Sequence, residues 1–203
     1  QKEYKELKTL NVMILGKTGV GKSTLINNMF NQKMAETGVG KPVTHKIRKI
    51  TKPDFPLAIY DTPGLELGGE NAINALLEEV TSEIDKGIRS GDISKAIHCI
   101  WYCISTPSHR FEQAEIDFLK EFLGKTSEYD VPVIIVLTQS YSKNDAKSLM
   151  KEIEKENLPI VNIVPVLAEN YDIDEEYTAK AYGLDRLSEI MNSVIPEAVQ
   201  KTF

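Results

Sequence analysis

A glycine-rich segment near the start of the chain constrains the fold more than any other feature. Residues 16–23 have the sequence Gly-Lys-Thr-Gly-Val-Gly-Lys-Ser. The apolar run at 10–15 predicts a strand before the segment, and the run at 23–30 predicts a helix after it. Glycines here allow successive backbone N–H groups to wrap around an anion, and a helix N-terminus adds partial positive charge. The segment therefore predicts a phosphate-binding loop in an α/β fold.

The residue types within this loop predict distinct roles. Lys22 supplies a point charge for the β- and γ-phosphates, and Ser23 supplies a hydroxyl ligand for Mg²⁺. The glycine spacing differs from G-x-G-x-x-G, which does not favour a dinucleotide site. The residues expected to hold the phosphates are Thr18, Gly19, Val20, Gly21, Lys22, Ser23 and Thr24.

The rest of the chain alternates strand-like and helix-like segments, which predicts a mostly parallel sheet covered by helices on both faces. Six strands are expected, at residues 10–15, 43–51, 55–60, 96–104, 131–137 and 160–167. No helix separates the second from the third, so that pair is expected to be antiparallel at the sheet edge. The expected fold is a three-layer P-loop NTPase in one domain spanning residues 1–203, with a core at 10–195 between an extension at 1–9 and a tail at 196–203. The acidic stretch at 169–176 is expected to be a solvated loop.

A second motif, Asp61-Thr-Pro-Gly64, follows the third expected strand. An aspartate after an apolar strand beside a phosphate loop can hold Mg²⁺, usually through water. Gly64 is expected to offer its backbone N–H to the γ-phosphate, at a point where no side chain could fit.

Composition excludes several classes of protein. The formal net charge is −6, from 24 Lys and Arg against 30 Asp and Glu, so there is no strong signal for nucleic-acid binding. No apolar run approaches the roughly 20 residues that a membrane-spanning helix needs. The two cysteines, Cys99 and Cys103, are too far apart along one strand to be bridged, and we expect two thiols in the core of a cytoplasmic protein.

With these motifs in place, residues 10–195 resemble the translation-factor-like small GTPases, nearest to the Era, septin and AIG/Toc-type groups. The loop at 17–24 and the pair Arg110-Phe111 carry the AIG/Toc likeness. The resemblance implies a guanine-nucleotide switch that uses Mg²⁺ and a threonine that senses the γ-phosphate. Thr44 fits that place, with Thr37 as the alternative, so Ser23, Thr44 and Asp61 form the expected metal set.

The segment expected to recognise the base departs from the pattern of these groups. Their Asn/Thr-Lys-x-Asp motif corresponds to residues 138–141, Thr-Gln-Ser-Tyr. Gln139 stands in place of the lysine that covers the base, and Tyr141 in place of the carboxylate that accepts the guanine N–H groups. Ala168 and Glu169, which resemble the Ser-Ala-Lys loop, together with Thr138 and Gln139, complete the expected guanine site.

Hydrolysis also departs from the Ras-type pattern, because Leu65 occupies the position of the glutamine that orients the attacking water. We therefore expect slow GTP hydrolysis, with Lys22, Thr44 and Gly64 as the catalytic residues and activation by a homodimer across the nucleotide face or by a partner. His45 and Arg110 are candidates for the missing group. The alternative is a nucleotide-dependent assembly module that hydrolyses little, and a P-loop kinase is disfavoured by the Asp-x-x-Gly element.

Overall fold

The structure is a computed structural model that describes residues 8–31, 41–44, 46–65, 70–108 and 111–194. The strands are β1 (Leu10–Gly16), β2 (Lys41–Pro42), β3 (Arg48–Thr51), β4 (Leu57–Asp61), β5 (Cys99–Ser105), β6 (Val133–Thr138), β7 (Asn162–Pro165), β8 (Tyr171–Asp172) and β9 (Thr178–Ala179). The helices are α1 (Lys22–Phe30), α2 (Glu70–Arg89), α3 (Gln113–Ser127), α4 (Lys143–Glu154) and α5 (Leu184–Val194). In the described part of the chain, no helix has both the length and the apolar character needed to cross a membrane.

The main sheet has the strand order β2-β3-β4-β1-β5-β6-β7. Strand β3 is antiparallel to both of its neighbours, and the other pairs are parallel. Strand β1 lies between β4 and β5, so the phosphate loop follows the central strand. Ile14 pairs with Asp61, and Gly16 pairs with Cys103, which brings the carboxyl ends of three strands to one edge. Ligands of open α/β sheets bind at such an edge.

Two apolar layers cover the sheet, because successive side chains of a strand point to opposite faces. Val12 and Ile14 of β1 pack with buried residues of α1 and α5. Met13 and Leu15 pack on the other face with buried residues of α2, α3 and α4. The three-layer fold class predicted from the sequence is confirmed.

Several local predictions are wrong. The strand expected at 43–51 is a turn followed by β3, and the two-residue β2 adds a seventh strand at the edge. The stretch at 169–176 is exposed to solvent as expected, but it is not a simple loop, because β8 within it pairs with β9 as an antiparallel hairpin. These differences arise where hydrogen bonds to neighbouring segments override the local pattern.

The two cysteines are as expected: Cys99 and Cys103 are buried free thiols of β5. Burial raises the pKa of each thiol to about 12. His98, just before β5, accepts a hydrogen bond at Nδ1 from the Asn11 N–H at 2.8 Å and lies 2.7 Å from the Ile93 carbonyl through Nε2. This histidine therefore ties β1 to the segment that leads into β5.

Candidate functional site

The phosphate loop runs from the end of β1 to the start of α1. Gly19 and Gly21 have φ of 80° and 85°, a left-handed conformation that favours glycine. A Cβ added to Gly19 would meet no atom within 4 Å, so the loop borders open space there. Gly21 is the N-cap residue of α1, and within the described residues it makes no side-chain capping hydrogen bond. The free N–H groups of that first turn are thus available to an anion, as predicted for this loop.

Lys22 is the cation of this loop, and it is directed toward the end of β4. Its Nζ donates to the Thr62 carbonyl at 2.5 Å and lies 3.7 Å from Asp61 Oδ1. Burial lowers the pKa of Lys22, and the neighbouring Asp61 carboxylate opposes that shift. The structure thus brings the predicted lysine and aspartate together.

The surroundings of Asp61 test whether the site could hold the predicted Mg²⁺. Its Oδ1 is buried and accepts no hydrogen bond from any residue in the described ranges. Burial raises the pKa of Asp61, while Lys22 and Arg48 oppose the rise. Ser23, in the first turn of α1, adds an exposed hydroxyl. A carboxylate oxygen without a hydrogen-bond donor and a serine hydroxyl are oxygen donors of the kind that Mg²⁺ prefers, so these residues fit the ion.

Gly64 and Leu65 lie directly against the phosphate loop. A Cβ on Gly64 would stand 2.3 Å from Thr18 Oγ1 and 2.7 Å from Thr18 Cα, so only glycine fits. The Leu65 N–H donates to the Gly16 carbonyl at 2.9 Å, and the Thr18 N–H donates to the Leu65 carbonyl at 3.4 Å. The Leu65 side chain is 3% exposed and packs in the core. Sequence reasoning identified both residues but missed this pairing.

Thr44 lies in the turn between β2 and β3, not at the start of a strand as predicted. Its Oγ1 donates to Glu79 Oε1 of α2 and accepts from the N–H groups of Lys46 at 3.1 Å and Ile47 at 3.0 Å. The hydroxyl is therefore held by the α2 carboxylate. Thr37, His45 and Arg110 lie outside the described residues.

A cavity of about 370 Å³ opens beside the phosphate loop. All four predicted base-site residues line it, together with eight others: Gly21, Thr24, Leu25, Pro107, Thr138, Gln139, Tyr141, Val166, Leu167, Ala168, Glu169 and Tyr171. Gln139 has φ of 55°, and its Oε1 accepts from Ser105 Oγ at 2.5 Å. A Cβ on Gly21 would lie 3.4 Å from Gln139 Nε2, so the glutamine covers the loop. Thr138 Oγ1 donates to the Val20 carbonyl, which joins the β6 end to the same loop.

Sequence reasoning missed the aromatic side of this cavity. Tyr171 of β8 stacks on Tyr141, with ring centroids 4.7 Å apart and planes 13° from parallel. Tyr182 OH donates to the Ser140 carbonyl at 2.7 Å and supports the same segment. Tyr171, which interrupts the acidic stretch at 169–176, was the available signal.

The fold and the site define a G domain of the P-loop GTPase class. The family model described as Septin matches residues 6–187, so the chain belongs to the septin family.

Relatives and solved structures agree with this class. The chain is 29% identical over 191 residues to GTPase Era of Pseudomonas fluorescens (strain Pf0-1), covering 92% of this chain and 55% of the relative, so it spans about half of that relative's length. A crystal structure of Era in complex with MgGDPNP and nucleotides 1506–1542 of 16S ribosomal RNA aligns with a TM-score of 0.60 and 21% identity, over 95% of this chain and 58% of that one. A structure of the chloroplast translocon components atToc33 and psToc159, in which dimerization is important for the GTPase activity, aligns with a TM-score of 0.54 and 19% identity. The alignment covers 97% of this chain and 83% of that chain.

Proposed function

We propose that residues 10–195 form a Mg²⁺-dependent guanine-nucleotide switch that binds GTP and GDP and hydrolyses GTP slowly. The observation that carries the proposal is the meeting of three elements at one sheet edge. Lys22 lies 3.7 Å from Asp61 Oδ1, an oxygen that accepts no hydrogen bond within the described residues, and Gly64 lies directly against Thr18. This arrangement supplies a cation, a metal ligand and a backbone N–H where the terminal phosphate of a nucleotide would lie.

Each side chain has a defined task in this switch. Lys22 offers positive charge to the β- and γ-phosphates, and Ser23, Asp61 and Thr44 are the residues that would hold Mg²⁺. When bound, the ion neutralises charge that develops on the phosphate oxygens. Thr44 must leave Glu79 to join this set, which gives the switch two arrangements of one hydroxyl.

The nucleophilic water has no side chain to orient it at residue 65. The Leu65 side chain is aliphatic and buried, and its backbone N–H and carbonyl are paired with the phosphate loop. This residue therefore cannot polarise water. We therefore propose that a homodimer across the nucleotide face, or another partner, supplies the missing group, as dimerization matters in the Toc relatives. Arg110 is the candidate, from its position in the sequence.

Activation by self-association predicts that GTPase specific activity rises with protein concentration. Arg110→Ala should abolish this rise and leave GDP affinity unchanged. A specific activity that stays flat from sub-micromolar to high-micromolar protein would exclude self-activation and leave a separate partner.

The second candidate, favoured by the buried and anchored Leu65, is an assembly module that binds nucleotide and scarcely hydrolyses it. Single-turnover GTP assays at low and high protein concentration separate the two. Turnover near zero at all concentrations supports assembly, and turnover at about 10⁻⁴–10⁻² s⁻¹ or above supports the switch.

Guanine recognition is proposed to use Gln139, Ala168 and Glu169. Among the described residues that line the cavity, Glu169 is the only carboxylate. Glu169 is therefore the available acceptor for guanine N–H groups. With a net charge of −6, nucleic acid is not part of the proposal.

Removal of the Lys22 charge tests nucleotide binding itself. Lys22→Ala should weaken GDP binding on the order of a hundredfold, because a charge-assisted contact in a partly desolvated site is lost. Lys120→Ala is the matched control, since it removes a lysine from a surface ion pair with Glu156. GDP binding by Lys22→Ala at the parent's affinity in isothermal titration calorimetry would refute the phosphate-loop assignment.

A further inference from the structure

The cavity beside the phosphate loop has an aromatic wall built from two separate segments. Tyr141 follows β6, and Tyr171 belongs to β8, yet their rings stack at 4.7 Å with planes 13° apart. Both residues line the cavity. Tyr171 remains 49% exposed, so its ring is not absorbed into the core.

The spacing of the rings determines how a ligand can use them. Two rings with centroids 4.7 Å apart leave no gap for a third ring between them. A planar ligand must therefore contact the stacked pair from the cavity side. The two rings therefore form one continuous contact surface and cannot enclose a ligand between them.

The backbone segments that carry the two rings are held by hydrogen bonds of their own. The Tyr141 N–H donates to the Gln139 carbonyl at 2.9 Å. Tyr171 pairs with Ala179 in the β8–β9 hairpin, and Thr178 Oγ1 donates to Asp172 Oδ1 at 2.5 Å. The β8–β9 hairpin thus places an aromatic ring at the cavity wall.

We propose that the Tyr141–Tyr171 pair is the surface on which the nucleotide base packs, and that it contributes affinity without selecting guanine over adenine. The proposal rests on the nucleotide switch proposed above. Every base has a π-face, so aromatic contacts tolerate a change of base, whereas discrimination needs hydrogen-bonding groups. At residue 141, a ring that packs on any base thereby stands in place of a carboxylate that would select guanine.

The test measures GDP, ADP and inorganic pyrophosphate binding by calorimetry. Tyr171→Leu should weaken GDP and ADP by the same factor, about tenfold. Pyrophosphate has no base, so its affinity should not change. Tyr171→Phe keeps the ring and should bind like the parent. Tyr177→Leu is the matched control, because Tyr177 is an exposed tyrosine of the same hairpin that does not line this cavity.

The outcomes separate this inference from the proposed function. Failure of the parent to bind GDP refutes the switch. GDP binding by the parent with no loss in Tyr171→Leu refutes the aromatic surface alone. A loss confined to GDP shows that the ring selects guanine, which overturns the non-selective part.

A second variant keeps the proposal testable where Tyr171→Leu loses pyrophosphate binding through damage to the fold. Tyr171→Trp places a fluorophore on the cavity wall, while the native Trp101 is fully buried and serves as the background. GDP and ADP should quench the new emission, and pyrophosphate should not. Nucleotide bound by calorimetry without quenching would overturn the inference.

Discussion

Gly64→Ala is the substitution whose effect follows most directly from the contacts of the phosphate loop. The added Cβ would lie 2.3 Å from Thr18 Oγ1, 2.7 Å from Thr18 Cα and 2.9 Å from Thr18 N. The hydroxyl can rotate away, but the two backbone atoms cannot. Residues 64 and 65 must therefore move off the loop, which disturbs both hydrogen bonds between Leu65 and residues 16 and 18.

Two contributions set the size of the effect. Overpacking against backbone costs about 1–3 kcal/mol. Each lost backbone hydrogen bond costs about 0.5–1.5 kcal/mol, and the longer of the two, at 3.4 Å, contributes least. We expect Gly64→Ala to lower the free energy of unfolding by about 2–4 kcal/mol, and to weaken GTP more than GDP because the residue 64 N–H no longer faces the γ-phosphate.

Urea denaturation of the nucleotide-free protein measures this free energy. Gly124→Ala is the control, because a Cβ there meets nothing within 4 Å. Gly124 lies inside α3, where alanine should raise stability by about 0.5–1 kcal/mol. A Gly64→Ala protein whose stability lies within about 0.5 kcal/mol of the parent would refute the close contact between the two segments.

Three further predictions concern Thr44, the segment at 138–141 and a half-buried histidine. Thr44→Ala should weaken the binding of GTP–Mg²⁺ more than the binding of GDP, and equal losses for both nucleotides would favour Thr37 instead. Glu79→Ala frees the Thr44 hydroxyl and should raise the GTP:GDP affinity ratio by up to about tenfold. Tyr141→Asp should raise the GDP:ADP affinity ratio, since a carboxylate can accept guanine N–H groups that adenine lacks, and an unchanged ratio would show that this loop does not contact the base. Burial lowers the pKa of His98 below its ordinary 6.5, so its neutral form stabilises the fold fully above pH 6.5, and that contribution falls as pH drops through the folded-state value. The unfolding free energy of His98→Gln should therefore fall less between pH 7.5 and 5 than that of the parent, and parallel pH profiles would contradict the assignment.

The phosphate loop could be predicted because the residues that determine it are contiguous in the sequence. Residues 16–23 determine the turn, the lysine and the start of α1 within one segment, and Asp61 follows a recognisable apolar strand. The turn at 44–47 could not be predicted from alternation. There the Thr44 hydroxyl accepts two backbone N–H groups, which ends the strand pattern before β3.

The cavity beside the phosphate loop was only half predictable, because it is assembled from distant segments. Thr138 and Glu169 occupy positions that a motif can locate. Tyr171 contacts Tyr141 only because β8 folds back against β9, and charge composition predicted a solvated loop there. A pattern that is local in sequence carries no information about which distant ring will pack on which.

The phosphate loop is held by contacts on several sides, and these contacts indicate which part of it the nucleotide can change. Lys17 Nζ lies 3.2 Å from Glu115 Oε2, and this glutamate is 2% exposed and also accepts from Tyr102 OH at 2.9 Å. Breaking such a pair by removing one partner costs about 3–5 kcal/mol, because a buried charge is left without its counterpart.

Thr138 fixes the other side of the loop through the Val20 carbonyl, inside the core. The contact at residues 64 and 65 consists of two backbone hydrogen bonds, one of them 3.4 Å long, at the start of a segment that continues toward α2. Because the Gly64 N–H is the group proposed to meet the γ-phosphate, we expect this contact to be the one that the presence or absence of a γ-phosphate changes. The loop itself stays fixed from both sides, so its N–H groups are in place before the nucleotide arrives.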